Sequence, residues 1–296
     1  MKKLFIVLCI GAFLAVLAIH LQAQTGPGTG PWGGGPDFFS DAMSSMDRAF
    51  NQNDSEPTPE DAYFLGRAVA AHILTTYRPF AGNPALTRYL NRICQAIVVN
   101  SSRPDLFSGY FVTILDTMEF NAFASPGGHI FLTRGLVNAA TSEDMLASVI
   151  AHEIAHINLG HGMQIIRDMR ISSEAEEMAG RAAALTGNTQ AAQRLLAIRN
   201  STDQILDTLM RSGFSQPQEF AADREAVTLL VAAGYDPGAL VEVLRILQRV
   251  QSSQRGGFNI THPTPAQRIT NIEPVVRQQR VQNTSSHRAS RFQSNR

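Results

Sequence analysis

The sequence predicts an α+β fold that is mainly α-helical and contains one small β-sheet. Apolar residues recur at helical spacing through most of the chain between residues 60 and 279. β-branched and aromatic residues cluster in two short runs, Tyr110–Leu115 and His129–Thr133, with Ser125–Gly128 as a turn between them. Because hydrophobic residues make up 44% of the 296 residues, the chain can bury a core.

Charge and cysteine content exclude several classes of protein. Lys and Arg number 25, and Asp and Glu also number 25, so no net basic field favours nucleic acid. The cysteines are Cys9 and Cys94, which excludes a disulfide scaffold and a cysteine-based zinc cluster. We therefore expect no nucleic-acid partner.

The first residues are typical of an export signal. Lys2 and Lys3 precede an apolar run over residues 4–21, and Ala23 offers a small residue for cleavage. We expect residues 1–23 to be a cleaved signal peptide and the body to be soluble and exported to the periplasm. The run is almost long enough to span a bilayer, so an uncleaved N-terminal membrane anchor is the alternative.

The rest of the chain divides into three parts. Residues 24–59 form a Gly/Pro-rich and polar linker, with six glycines and three prolines within residues 25–36. Residues 60–279 form the folded domain. Residues 280–296 contain four arginines and no acidic residue, which predicts a basic disordered tail. Since such a tail can contact anionic lipid, membrane association stays open, and the sequence does not indicate the oligomeric state.

A motif typical of metal chemistry lies on one predicted helix. The N-cap pattern of Thr141–Asp144 starts this helix, and Gly160 ends it. His152 and His156 are four residues apart, so both imidazoles project from one face and can bind a single ion. Glu153 is rotated by about 100° and lies beside the ion, where it can deprotonate water. An ordinary polar helix face is the alternative, but it fits poorly because the neighbouring residues are apolar.

A catalytic zinc ion needs a third protein ligand, which we expect in Gln218–Val227. Glu219 and Asp223 lie one helical turn apart there, so Glu219 can bind zinc while Asp223 supports a ligating imidazole. A solvated acidic face is the alternative, but the apolar neighbours indicate a buried helix. His161 follows the helix-ending Gly160, out of register for a third ligand, and is expected to be a bystander.

The two motifs together resemble the HtpX and CAAX prenyl endopeptidase family of gluzincin metallopeptidases. Three further segments are similar to the pattern of that family: Asn121–Phe131, Ala232–Pro237 and Thr261–Ile269. The resemblance covers roughly residues 60–279 and implies a zincin-like metallopeptidase domain, with the small sheet beside the H-E-x-x-H helix. Because no spanning segment follows the N-terminal run, the chain resembles the exported, periplasmic branch.

The resemblance also implies roles for the site residues. One Zn²⁺ ion per chain would be held by His152, His156 and Glu219. Glu153 would take a proton from the attacking water and pass it to the leaving amine. Asp223 would orient a ligand histidine, which we favour, or donate a proton, as the family also suggests.

Several features keep more than one interpretation. His262 is interpreted as a turn histidine, as an oxyanion donor, or as a reversible fourth ligand that gates the site, which we favour. Arg268 is expected to stabilise the fold by pairing with a carboxylate. The segment over residues 162–218 is either core or a lid over the cleft. Phe123–Phe131 is expected to offer an edge strand to an extended peptide.

The sequence therefore predicts a zinc-dependent endopeptidase of the cell envelope that hydrolyses unfolded or misassembled proteins. Its partners would be protein or peptide substrates. The alternative is a chaperone-like or scaffolding envelope protein with a latent or structural zinc site, and another zinc hydrolase, such as an amidase, is a third. Glu153 favours an enzyme, because a purely structural site needs no general base.

Overall fold

A computed structural model describes residues 58–167, 213–253, 264–279 and 285–295. The signal peptide, nearly all of the linker, residues 168–212 of the suggested lid and His262 lie outside these residues. Their predicted roles therefore stay predictions.

Eight helices and three strands are complete within the described residues. In chain order they are α1 (Pro59–Thr76), α2 (Pro84–Val98), β1 (Phe111–Leu115), β2 (Ala122–Ser125), β3 (His129–Thr133), α3 (Arg134–Ala139), α4 (Glu143–Asn158), α5 (Gln216–Ala232), α6 (Gly238–Ser253), α7 (Pro265–Arg277) and α8 (Ser285–Ser294). The predicted α+β, mainly α-helical fold with one small sheet is confirmed. None of the helices in this part of the chain is both long and apolar enough to cross a bilayer.

The sheet has the strand order β1-β3-β2. β1 runs parallel to β3, whereas β2 runs antiparallel to β3. The turn at Ser125–Gly128 therefore joins β2 to β3. It does not directly join the two runs predicted as strands, Tyr110–Leu115 and His129–Thr133. The residue types of β2 give little β signal because the strand is short and contains two alanines and a serine, but β2 overlaps the edge strand expected over Phe123–Phe131. Within the described residues it pairs with β3 alone, and helix α1 packs beside it.

Helix α4 begins and ends as the sequence predicts. The hydroxyl of Ser142 accepts a hydrogen bond from the backbone N–H of Met145 at 3.2 Å and caps the first turn. Beyond the last helical residue, Asn158, Gly160 adopts φ +69°, a left-handed conformation that glycine takes without steric cost. The chain turns there, and residues 161–167 are helical again.

Helix α4 lies at the centre of the core. All residues from Met145 to Ile157 are buried, and the helix packs mainly against α5, with α6, α2 and β2 as further neighbours. Because the helix is covered on all sides, its polar side chains are removed from water and need partners within the protein.

The C-terminal residues contradict the prediction of a disordered tail over residues 280–296. They include helix α8, whose Phe292 joins the main core. Arg288 binds Asp144 at 2.9 Å, and Arg291 binds Glu143 at 2.5 Å. Both acidic residues lie in the first turn of α4. A basic, polar composition predicts a solvated tail, but here two acidic partners far away in sequence, of which Glu143 is buried, hold the segment against the domain.

Candidate metal centre

Helices α4 and α5 bring three ligating side chains to one point. The Nε2 atom of His152 lies 3.0 Å from Nε2 of His156 and 3.4 Å from Oε2 of Glu219. One ligand atom from each residue lies within 4.8 Å of the others, and all three residues are buried. Two imidazoles and one carboxylate form a common donor set for a catalytic metal ion in peptidases. The residues present therefore fit the metal that the motif implies.

Glu153 lines the same cleft as His152 and is itself buried. Burial raises the pKa of Glu153 to about 7, although the charge of His152 opposes the shift. A carboxyl group with a pKa near neutrality can both accept and return a proton, as a general base in peptide hydrolysis must.

Asp223 contacts the far side of His152. Its Oδ1 atom lies 3.1 Å from Nδ1 of His152, and the side chain is completely buried. Burial alone would raise the pKa of Asp223, but the neighbouring Arg268 and the hydrogen bond to His152 outweigh it and hold the pKa at about 2. An ionised carboxylate at Nδ1 fixes the imidazole tautomer and leaves Nε2 for a metal. This contact matches the orienting role that we favoured from sequence.

Arg268 belongs to the centre itself. Its guanidinium donates to Asp223 through Nε at 2.9 Å and through a terminal nitrogen at 2.6 Å. The other terminal nitrogen lies 3.1 Å from Oε2 of Glu219. The sequence predicts a carboxylate partner for Arg268 but does not place this arginine beside the metal ligands. One buried cation thus lies against two buried carboxylates and offsets part of their combined charge.

His161 lies outside the ligand cluster, as the sequence predicts for a residue out of register, but it contacts one of the ligands. Its Nδ1 atom lies 2.9 Å from Nδ1 of His156. Phe214, which the sequence analysis did not consider, stacks on the His156 ring with centroids 4.0 Å apart. The only sequence signal for the contact between His161 and His156 was a histidine directly after the glycine that ends the helix. No local pattern indicated the stacking of Phe214 on His156.

The three ligands line a cleft of about 90 Å³. β2 forms one side of the cleft through Ala122 and Phe123. The opposite wall is apolar and is built by α3, α4 and α6: Leu136, Val149, Leu240, Val243, Leu244 and Leu247. The cleft therefore combines residues of β2, a metal-binding cluster and a set of apolar side chains.

This arrangement is that of a zincin-like metallopeptidase centre: one helix carries H-E-x-x-H, a second helix supplies a carboxylate ligand, and an edge strand lies beside them. The sequence comparison agrees with this class. Residues 84–276 match peptidase family M48, and the chain belongs to that family. The resemblance inferred from the motifs is thus confirmed at the level of the family.

The chain is similar to curated metallopeptidases with different names. It is 27% identical over 204 residues to the beta-barrel assembly-enhancing protease of Escherichia coli K12, which covers 68% of this chain and 41% of that protein. It is 27% identical to the mitochondrial metalloendopeptidase OMA1 of Schizosaccharomyces pombe, covering 72% of this chain and 58% of OMA1. The metalloprotease LoiP of E. coli is 29% identical, covering 52% of this chain and 58% of LoiP. The chain therefore spans only about two fifths to three fifths of these relatives.

Proposed function

We propose that this chain is a zinc-dependent endopeptidase of the cell envelope that cleaves unfolded or misassembled proteins. The observation that carries the proposal is the convergence of His152, His156 and Glu219 on a cleft that Glu153 also lines. A structural zinc site would have no use for an additional buried carboxyl group with a pKa near neutrality.

Each residue of the centre has a distinct task in this proposal. His152, His156 and Glu219 hold zinc, which when bound supplies Lewis acidity toward the scissile carbonyl and the attacking water. Glu153 accepts a proton from that water at its carboxylate and returns it to the leaving amine. Asp223 keeps His152 in the ligating tautomer, and Arg268 stabilises the ionised forms of Asp223 and Glu219.

The cleft favours an extended polypeptide with apolar side chains as the substrate. The edge of β2 can pair with the backbone of such a chain, and this pairing needs no particular sequence. The apolar wall can then accept one side chain next to the scissile bond. Extended segments with exposed apolar side chains occur in unfolded proteins, which supports a role in protein quality control.

Two features support a location in the cell envelope. The N-terminal residues have the pattern of an export signal. One relative is named for enhancing beta-barrel assembly. The proposed place is the periplasm, with an uncleaved N-terminal anchor as the alternative.

Digestion of unfolded casein tests the activity. We expect cleavage that a chelator abolishes and that added Zn²⁺ restores, with apolar residues enriched next to the cut sites. Glu153→Gln should lower kcat/KM by about 10²–10⁴-fold while zinc content stays unchanged, because the amide cannot accept the proton. Glu225→Gln on α5 is the control, since this half-buried residue contacts Asn158 and lies outside the cleft.

The same variant separates the enzyme from the scaffold alternative. If Glu153→Gln supports the function of the chain in cells as well as the wild type does, proteolysis is not its task. A wild-type protein that binds zinc but leaves casein and its own chain intact would also contradict the proposal.

A further inference from the structure

We propose that His161 is a positioning residue of the metal centre: it accepts a hydrogen bond from Nδ1–H of His156 and holds that imidazole with Nε2 toward the metal. This inference rests on the proposed metal site. Although His161 is not a ligand itself, its contact with His156 would then affect metal affinity directly.

The distances around His156 define which nitrogen carries the proton. Its Nε2 atom faces His152 and Glu219, at 3.0 Å and 3.7 Å, so this is the nitrogen that a metal would use. A ligating nitrogen carries no proton, and the neutral imidazole must then carry its proton on Nδ1. The nearest acceptor is Nδ1 of His161, at 2.9 Å. His161 must therefore present a lone pair at Nδ1 and carry its own proton on Nε2.

The surroundings of this pair leave water little access. His156 is 3% exposed and His161 is 5% exposed. Phe214 covers the His156 ring and lies against the His161 ring, with centroids 5.5 Å apart. Without His161, the Nδ1–H group of His156 would lose its acceptor in a buried place, and a buried donor without a partner is costly. The imidazole could recover a partner by rotating or changing tautomer, and either change would spoil Nε2 as a ligand.

The turn at Gly160 explains how His161 reaches the ligand. The two histidines are five positions apart, which on a continuous helix would place them on different faces. Gly160 at φ +69° breaks the helix, and the next residue folds back against its last turn. Nothing lies within 4 Å of a side chain built on Gly160, so the requirement for glycine there is conformational.

The two ligand histidines are thus supported in different ways. His152 is held by the carboxylate of Asp223 at 3.1 Å, whereas His156 is held by a neutral imidazole. A supporting hydrogen bond orients a ligand histidine and raises its basicity, and its loss typically costs about 10–100-fold in metal affinity. We expect a loss in this range when His161 can no longer accept the bond.

Competition with a chromophoric chelator for Zn²⁺ tests the proposal on the full chain. His161→Leu removes the acceptor and should weaken zinc binding by about 10–100-fold. His161→Asn places a carbonyl oxygen near the former Nδ1 position and should restore affinity to within a few-fold of wild type. His161→Gln carries the same amide one bond further out and should not. The visible spectrum of the Co²⁺-substituted protein should change in the Leu and Gln variants and stay close to wild type in the Asn variant.

His129→Leu is the matched control. His129 is also a buried histidine, but it lies on β3 and stacks on Phe111, away from the ligands. Its loss should lower stability without changing zinc affinity. If the Leu variant of His161 does not fold, the comparison of Asn with Gln still decides the question.

Failure of this proposal is distinguishable from failure of the proposed function. Wild-type protein that binds no zinc would overturn the metal site itself. Tight wild-type binding with equal affinity in all three His161 variants would leave the metal site intact and overturn the positioning role. Equal losses of zinc affinity in the Asn and Gln variants would also overturn the positioning role. The position of the acceptor oxygen would then make no difference to zinc binding.

Discussion

The two ends of helix α4 are both stabilised by buried polar contacts, but the contacts are arranged differently. Near the C-terminal end, His152 and His156 direct their Nε2 atoms toward one point shared with Glu219. At the N-terminal end, Glu143 is 1% exposed and binds only protein donors. Tyr89, Tyr235 and Arg291 supply those donors, at 2.8 Å, 3.3 Å and 2.5 Å.

The difference separates a site from a structural cluster. Both oxygens of Glu143 accept two hydrogen bonds each from neighbouring side chains, so the carboxylate has no capacity left for a ligand. At the metal end, Asp223 and His161 contact the Nδ1 atoms of His152 and His156. The Nε2 atoms of the two histidines are then left to face one point. Buried polar groups that converge on one point indicate function, whereas groups that satisfy one another indicate stability.

The largest effect is expected from removal of a ligand at the metal end. His156→Ala should reduce zinc from about one ion per chain to nearly none and abolish proteolysis, because two remaining ligands hold zinc poorly. Metal analysis of the purified variant by mass spectrometry checks this expectation. His287→Ala is the control, since this histidine is exposed on α8. Stoichiometric zinc in the His156 variant would mean that the ligands have been wrongly assigned.

The metal end was largely predictable because its chemistry follows from local spacing. The H-E-x-x-H residues and the pair Glu219 and Asp223 are each one helical turn apart, and helical geometry alone places such residues on one face. The apolar residues around them indicated burial. Pairing the two segments across more than 60 residues followed from the need of a catalytic zinc ion for a third protein ligand, and the resemblance to a family implied the same pairing.

The remaining contacts depend on tertiary structure and could not be predicted. Arg268 lies 45 residues beyond Asp223, and Arg291 lies 148 residues beyond Glu143. A single arginine in a polar segment can indicate a carboxylate partner, as it did for Arg268, but it does not indicate which carboxylate. The bounds of β2 could not be predicted for a related reason: its pairing with β3, rather than its residue types, makes it a strand.

A smaller effect is expected from removing the support of a ligand. Asp223→Ala should weaken zinc binding by about 10–100-fold, because His152 loses the group that orients it and Arg268 is left as a poorly balanced cation. Glu225→Ala is a matched change on the same helix, in a residue that contacts Asn158 at 3.4 Å. Chelator competition should show near wild-type affinity for that control. Wild-type affinity in the Asp223 variant as well would remove Asp223 from the centre.

The smallest effect is expected at the opposite end of α4. Arg291→Ala should lower the free energy of unfolding by about 1–2 kcal/mol, because Glu143 loses two charge-assisted hydrogen bonds but keeps both tyrosine donors. The expected loss of stability is modest because the side chain of Arg291 is 53% exposed, and water screens and partly replaces its ion pair. Chemical denaturation of the metal-free protein measures the change.

Arg277→Ala provides the comparison for this variant. Arg277 also pairs with a glutamate, Glu273 at 3.1 Å, but its side chain is 73% exposed, so its loss should have almost no effect on stability. Zinc affinity should be unchanged in both variants if the two ends of α4 have separate tasks. A fall in affinity for Arg291→Ala as large as that for Asp223→Ala would mean that α8 controls the metal centre through α4, and the separation of the helix into a functional and a structural end would then be wrong.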